Sequence, residues 1–134
     1  MTQSGFVHLH VHSEYSISNG LLTIEQMISK AQQDNMQAVA LTDIHNTYAS
    51  VKFYKKAIQA KIKPIIGVEL RLLDDTCQED KKSKKKGLTA PQGAIYKLLL
   101  YCQNQQGYLN LCELLTRSYQ EGQIHGIAYV ARSW

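Results

Sequence analysis

Histidine alternates with apolar residues near the N-terminus, and this pattern constrains the fold more than any other feature. The segment His8–His12 has the sequence HLHVH. Because side chains of a β-strand point alternately to opposite faces, the imidazoles share one face and the apolar side chains the other. Imidazoles on an inward face are costly to bury unless they bind a metal ion or hydrogen-bond partners. The pattern predicts that Phe6–His12 is the first strand of a metallohydrolase-like βα barrel.

His10 and His12 are the candidate metal ligands of this strand. An HxH pair at the carboxyl end of a strand places both imidazoles within reach of one ion, where barrel active sites lie. Glu69 ends the apolar run Ile65–Glu69, as a carboxylate at a barrel mouth would. For the histidines, the alternative to metal binding is that they hydrogen-bond to backbone and water. Asp43 ends another apolar run, and it lies either at the site mouth or in a loop turn.

Apolar runs alternate with helical patterns along the rest of the chain, which is typical of βα units with parallel strands. Thr23 and Gln26 have the spacing of a capping box ahead of an amphipathic helix, which Asp34 ends. Its predicted apolar face is Ile24, Met27, Ile28 and Ala31. Ala38–Thr42 is apolar at nearly every position and predicts a covered parallel strand.

The following segments complete the predicted α/β fold. A second helix is expected from about Ala49 to Ala60, with Val51, Tyr54 and Ile58 inward. Strands are expected at Ile65–Leu73 and Ile95–Cys102. A third helix should follow Gly107-Tyr108, carrying Leu111, Leu114, Leu115 and Tyr119 on one face. The residues from Gly122 to Trp134 have no clear period.

The chain of 134 residues is long enough for one domain with a core and too short for two. Its cysteines are odd in number and form no CxxC pair, which argues against a disulfide framework or a thiolate zinc site and favours a reducing cytoplasm. We also expect no membrane segment and no signal peptide, because no apolar stretch is long enough.

A lysine-rich segment accounts for the net charge of +4, since five of the lysines lie between Lys81 and Lys86. The rest of the chain is close to neutral, so the charge alone does not indicate nucleic-acid binding. We predict that residues 74–93 form a mobile, solvated surface insertion. The alternative is a basic segment that contacts DNA phosphates or an acidic partner.

Five segments together resemble a known domain. In order, they are FVHLHVHSEYSISNG, AVALTDIHN, VKFYKKA, IKPIIGVEL and NQQGYLNLCELLTRSY. They resemble the PHP (polymerase and histidinol phosphatase) domain at the N-terminus of the alpha subunit of bacterial DNA polymerase III. The specific motifs are HxHxxxS, at His10, His12 and Ser16, and GYxNL, which begins at Gly107. The resemblance implies that residues 1–134 are the N-terminal part of a distorted (β/α)7 PHP barrel.

The same resemblance implies an eroded metal site. His10, His12 and Glu69 match ligand positions of the metal-binding members. Three other ligand positions are changed: Asn19 replaces an aspartate, and Ile44 and Lys97 replace histidines. A cluster of two or three cations needs anionic and imidazole ligands, and these replacements remove them. We therefore expect no catalytic residue and no required cofactor in this fragment, with at most residual Zn²⁺ or Mn²⁺ binding at a vestigial site.

For function, the resemblance implies a fragment of a replicative DNA polymerase, a nucleotidyltransferase that uses Mg²⁺ elsewhere in the parent chain. Its expected partners are the remaining polymerase domains, the proofreading exonuclease subunit, other replicase subunits and, through the parent chain, DNA. The expected role of the fragment is structural and in docking the exonuclease. Two alternatives stay open: an active metal-dependent phosphoesterase or 3′–5′ exonuclease, and a nucleic-acid-binding module that uses the lysine run.

Overall fold

The computed structural model describes residues 5–75 and 93–134, which form three helices and six strands. In chain order these are α1 (Ile24–Gln33), β1 (Ala38–Leu41), α2 (Ser50–Gln59), β2 (Lys63–Asp74), β3 (Ala94–Tyr101), α3 (Gln105–Gln120), β4 (Gln123–Ile124), β5 (Ile127–Ala128) and β6 (Val130–Ala131). The lysine run and most of the insertion predicted at 74–93 lie outside the described residues. None of the described helices is long and apolar enough to cross a membrane.

The long strand β2 is the centre of the sheet. Its first part pairs in parallel with β1, from Ala38 opposite Lys63 to Leu41 opposite Ile66. Its second part pairs in parallel with β6 on the same edge. On the other edge it pairs with β3, which runs antiparallel to it. The fold is therefore α/β with parallel strands, as predicted, but it is not parallel throughout.

The direction of β3 corrects the expectation of parallel strands. β2 and β3 are antiparallel, with Asp74 opposite Ala94 at the end where the chain connects the two strands and Gly67 opposite Tyr101 at the open end. A parallel pair needs a crossover connection, usually a helix. The sequence between these two strands is polar and lysine-rich, without the apolar period of a crossover helix. The strands consequently have the register of a hairpin.

Helix α1 is built as its sequence predicts. The Thr23 side chain accepts a hydrogen bond from the Gln26 backbone, and the Gln26 side chain accepts one from the Thr23 backbone. The helix ends at Asp34, and its buried residues are the four predicted ones, Ile24, Met27, Ile28 and Ala31. They pack against Val39 and Leu41 of β1, whose residues are all buried.

Helix α2 lies where it was expected, but its predicted inward face is wrong. Val51, Tyr54 and Ile58 are 62%, 53% and 52% exposed. The residues that face the core are instead Ser50, Phe53 and Ala57. Both sets have helical spacing, so periodicity alone does not distinguish them. The small Ala57 side chain lets α2 approach the sheet closely, and the ring of Phe53 fills the space beside it.

Helix α3 covers the second part of β2. Its N-cap is Asn104, whose side chain accepts from the Gly107 backbone, so the helix begins before the predicted Gly107-Tyr108. Leu111 and Leu115 are buried as predicted, and Leu114 is partly buried against the same cluster. The cluster also contains Val68, Leu70 and Val130. Tyr119 is 43% exposed, and its hydroxyl donates to the carbonyl of His45 at 2.9 Å.

The predicted first strand, Phe6–His12, is extended but does not form a regular strand. A single parallel bridge joins His8 to Val39 of β1. Further along, the N–H of Val11 donates to the hydroxyl of Thr42 at 2.9 Å instead of to a backbone carbonyl. The Thr42 side chain therefore interrupts the ladder, although the segment still lies beside β1 as a strand would.

The inward face of α2 can be tested with adjacent residues. Phe53→Ala removes a side chain with 0% exposure, and we expect the free energy of unfolding to fall by about 3–5 kcal/mol. Tyr54→Ala is the matched control, because Tyr54 is half exposed, and it should cost less than about 1 kcal/mol. Urea denaturation followed by circular dichroism measures both. A larger fall in the free energy of unfolding for Tyr54→Ala than for Phe53→Ala would show that the face predicted from the sequence is the buried one.

Candidate metal centre

The histidine segment is held against β1 mainly by Thr42. The backbone N–H of Thr42 donates to the carbonyl of Val11 at 2.9 Å, and its hydroxyl lies within hydrogen-bond distance of both backbone groups of Val11. The N–H of Ala40 donates to the carbonyl of His8 at 2.9 Å. These bonds hold His10 and His12 beside the carboxyl end of β1.

A glycine in β2 makes room for a second anchor on this segment. A Cβ atom at Gly67 would lie 2.6 Å from the Leu100 carbonyl oxygen and 2.9 Å from the ring of Tyr101. Without a side chain at this position, the Tyr101 ring lies over β2 and its hydroxyl donates to the carbonyl of Leu9 at 2.8 Å. The histidine segment is thereby joined to β3 as well as to β1.

The structure brings His10, His12 and Glu69 together. The Nε2 atom of His10 lies 2.7 Å from Oε2 of Glu69, and the Nε2 atom of His12 lies 3.1 Å from the same oxygen. The two Nε2 atoms are 3.1 Å apart. The Glu69 side chain is only 4% exposed, whereas that of His10 is 48% exposed. The cluster is open to solvent on the side of His10.

The spacing of these atoms suits one small cation. Each Nε2 atom has either one hydrogen or one lone pair, and an ionised carboxylate only accepts, so at most two of the three contacts can be hydrogen bonds. Zinc binds imidazole nitrogen at about 2.0–2.1 Å, which brings neighbouring donor atoms to roughly this separation. Within the described residues, this is the only group of His, Cys, Asp and Glu side chains that converges in this way.

Lys97 approaches the same carboxylate from β3. Its Nζ atom lies 3.2 Å from Oε1 of Glu69, the oxygen that the histidines do not contact. Burial of the carboxylate opposes its ionisation, but the hydrogen bond with His10 and the ammonium of Lys97 outweigh burial and hold the pKa of Glu69 below its ordinary value. A positive charge is therefore already paired with the carboxylate at the candidate site.

Ile44 and Asn19, the other two positions at which the resemblance implies a replaced ligand, supply no further ligand. Ile44 pairs with Glu69 through an isolated parallel bridge, so an apolar side chain lies beside the carboxylate. Asn19 is exposed, and its backbone N–H donates to the carbonyl of Ser16 at 2.8 Å. The spacing of His10, His12 and Glu69 suits one ion, but the described residues do not fit a cluster of two or three cations.

Asp43 does not belong to the group of His10, His12 and Glu69. It is 1% exposed, and both of its carboxylate oxygens accept hydrogen bonds from the loop that follows the histidines. Ser13 donates to it from its backbone and its hydroxyl, each at 2.7 Å, and the hydroxyl of Ser16 donates at 2.6 Å. Asp43 therefore anchors this loop. Ser13 was not identified from the sequence, although its place directly after the HxH pair could have drawn attention to it.

His45 points away from the candidate metal centre. It has a left-handed backbone, with a φ of 51°, and its Nε2 atom accepts from the backbone N–H of Arg71 at 2.7 Å. The hydrogen must then lie on Nδ1, which is buried without a hydrogen-bond partner among the described residues. Burial and the positive charge of Arg71 lower the pKa of His45 to about 4. His45 is thus a neutral structural residue that joins the end of β1 to β2.

Comparisons with known proteins agree on one domain type. Residues 8–134 match the family model described as the PHP domain. The chain is 44% identical over 120 residues to DNA polymerase III subunit alpha of Borreliella burgdorferi, covering 90% of this chain and 10% of that protein. It is 39% identical over 131 residues to the protein of the same name from Pseudomonas fluorescens, covering 98% of this chain and 10% of that protein. The chain spans about a tenth of the length of these curated relatives.

The buried His45 should make stability depend on pH. Its pKa is lowered from 6.5 to about 4 in the folded chain, so the unfolded chain binds a proton in this interval that the folded chain does not. The free energy of unfolding should therefore fall as the pH drops from about 6.5 to about 4, by at most about 3 kcal/mol from this group.

Urea denaturation at several pH values measures this dependence. His45→Asn, which tolerates the left-handed backbone, should lower stability at pH 7 and flatten the slope between pH 6.5 and 4. His8→Asn removes an exposed histidine and is the matched control, with the slope expected to persist. An unchanged slope in His45→Asn would show that other groups cause the dependence.

Proposed function

The chain belongs to the PHP domain family, and we propose that it is the N-terminal part of the PHP domain of a replicative DNA polymerase. The curated relatives named above are DNA polymerase III alpha subunits, which supports the proposal. Because the chain spans about a tenth of their length, DNA synthesis from deoxynucleoside triphosphates with Mg²⁺ is proposed for the parent polypeptide and not for these residues.

Within the parent polypeptide, we assign this segment a structural role with a degenerate metal site. The observation that carries this assignment is the donor set: His10, His12 and Glu69 converge, and Lys97 already pairs with the carboxylate. The oxygens of Asp43, a buried carboxylate just after β1, are engaged by Ser13 and Ser16. Hydrolysis of a phosphoester by a metal cluster needs one cation to activate water and another to stabilise the leaving oxygen. The described residues offer ligands for one at most.

We further propose that the domain docks the proofreading exonuclease subunit, together with the remaining polymerase domains and other replicase subunits in the cytoplasm. Two exposed surfaces support a docking role. The first is the apolar stripe of Val51, Tyr54 and Ile58 on α2, which lies at helical spacing on the exposed side. The second is the outer edge of β3, which has no strand partner among the described residues. Apolar stripes and free strand edges are surfaces that proteins usually cover.

The alternative function is a metal-dependent phosphoesterase or 3′–5′ exonuclease. The convergence of His10, His12 and Glu69 on one point favours it, because this donor set resembles a His₂-carboxylate zinc site. In that case His10 and His12 would hold the ion as neutral imidazoles, and Glu69 would supply the negative charge. The bound ion would provide Lewis-acid activation of water.

Metal content and hydrolysis distinguish these functions. We expect the protein, purified without chelator, to contain well under one equivalent of Zn²⁺ or Mn²⁺ by mass spectrometry. We also expect no hydrolysis of p-nitrophenyl phosphate or of a 3′-terminal nucleotide with either metal added. One equivalent of tightly bound metal, together with hydrolysis that His12→Ala abolishes and that Lys55→Met leaves unchanged, would establish the phosphoesterase instead.

The docking role has its own measurement. The parent polypeptide should bind the proofreading exonuclease subunit of the same organism in surface plasmon resonance, and removal of the PHP domain should weaken binding by at least about tenfold, or roughly 1.4 kcal/mol. DNA synthesis on a primed template, measured without the exonuclease, is the control for the integrity of the truncated polymerase. Equal affinity with and without the domain would contradict the docking role.

A further inference from the structure

Lys97 reaches Glu69 because of the register between β2 and β3. In this ladder Glu69 is opposite Leu99, and Arg71 is opposite Lys97. Directly opposite residues of an antiparallel pair share a face, and so do alternate residues of one strand. Lys97 is therefore the diagonal neighbour of Glu69 on the face that carries the candidate metal centre. A shift of one residue in this register would move Lys97 to the other face.

The ion pairs of Glu69 differ in charge and position. Among the described residues, it pairs with His10, His12 and Lys97. Both histidines contact Oε2, whereas Lys97 contacts Oε1. An imidazole is charged only when protonated, and a lysine ammonium is charged throughout the neutral pH range. The buried carboxylate thus has one constant cationic partner in this part of the chain.

The carboxylate needs such a partner. Its side chain is 4% exposed, and an ionised carboxylate buried without a compensating charge or hydrogen bonds is strongly destabilising. Two kinds of cation could compensate it here, a metal ion between the imidazoles or an ammonium on the opposite oxygen. Of these two, only the ammonium is part of the protein, so it can compensate Glu69 without a bound metal ion.

We propose that Lys97 stands in for a divalent cation at this centre, holding the cluster of His10, His12 and Glu69 together and opposing metal binding. This inference rests on the degenerate metal site proposed above and names the residue that makes the site unfavourable for metal. The ammonium neutralises Glu69 and repels an incoming cation. Removing its charge while keeping its length leaves His10, His12 and Glu69 available as ligands but takes away the ammonium that compensates the carboxylate.

Lys97→Met is the direct test, because methionine is of similar length and uncharged. The Lys97 side chain is 74% exposed, so this change should not disturb the core. Because solvent screens an exposed ammonium, we expect the affinity for Zn²⁺ in isothermal titration calorimetry to rise by about tenfold rather than by the larger factor of a buried charge. In chelator, Lys97→Met should unfold at a lower urea concentration than the wild type, and added Zn²⁺ should abolish this difference.

Three variants test whether the charge of Lys97 causes the effect and whether the ion binds at this centre. Lys97→Arg keeps the positive charge and should bind Zn²⁺ as weakly as the wild type. Lys55→Met removes an exposed lysine of α2 and should change neither affinity nor stability. The double variant Lys97→Met with Glu69→Gln lacks the carboxylate and should lose the gained affinity, which places the new ion at this centre.

The outcomes separate this inference from the proposed function. Weak Zn²⁺ binding by both the wild type and Lys97→Met contradicts the role of Lys97 and leaves the degenerate site intact. A gain of affinity in Lys97→Arg equal to that in Lys97→Met also contradicts it, because the charge would then not be the cause. Tight stoichiometric binding by the wild type, with phosphoester hydrolysis, contradicts the degenerate site itself.

Discussion

Strand β2 must satisfy its backbone hydrogen bonds on both edges, and this requirement fixes the positions of the elements around it. This strand has 12 residues, and its backbone groups alternate between the two edges. One edge is taken by β3, and the other successively by β1, the residues after β1, and β6. The N–H of Glu69 donates to Asp43, and its carbonyl accepts from His45. The backbone that satisfies β2 therefore also fixes the position of the candidate metal centre.

Two of the buried carboxylates, Asp43 and Glu69, lie close to the histidine segment and are compensated in different ways. Asp43 accepts hydrogen bonds from Ser13 and Ser16, which are neutral donors and which order the loop after the histidines. Glu69 is compensated by two imidazoles and an ammonium. The oxygens of Asp43 accept from neutral hydrogen-bond donors, whereas Glu69 contacts two imidazoles, which are metal ligands when neutral. This difference explains why Glu69 and not Asp43 is the residue around which a metal site could persist.

The sequence predicted the elements whose signals are local. The capping box of Thr23 and Gln26, the apolar face of α1 and the buried strand β1 depend on residues within a few positions of one another, and all were confirmed. The inward face of α2 was wrong because two residue sets have equally good helical spacing, and contact with the sheet selects Phe53. The direction of β3 was also wrong, since strand direction depends on which ends of the strands meet and not on apolar pattern.

For the centre itself, the sequence determined which residue types are present: two imidazoles, one carboxylate, and a lysine and an isoleucine at positions where the resemblance implies histidines. His10 and Glu69 are 59 positions apart, and the packing of the fold brings them into contact. The fold also pairs Lys97 with the second oxygen of Glu69 and Asp43 with Ser13 and Ser16. The physical reason is that spacing along a chain sets the face of a strand, whereas the distance between side chains of different strands is set by pairing and register.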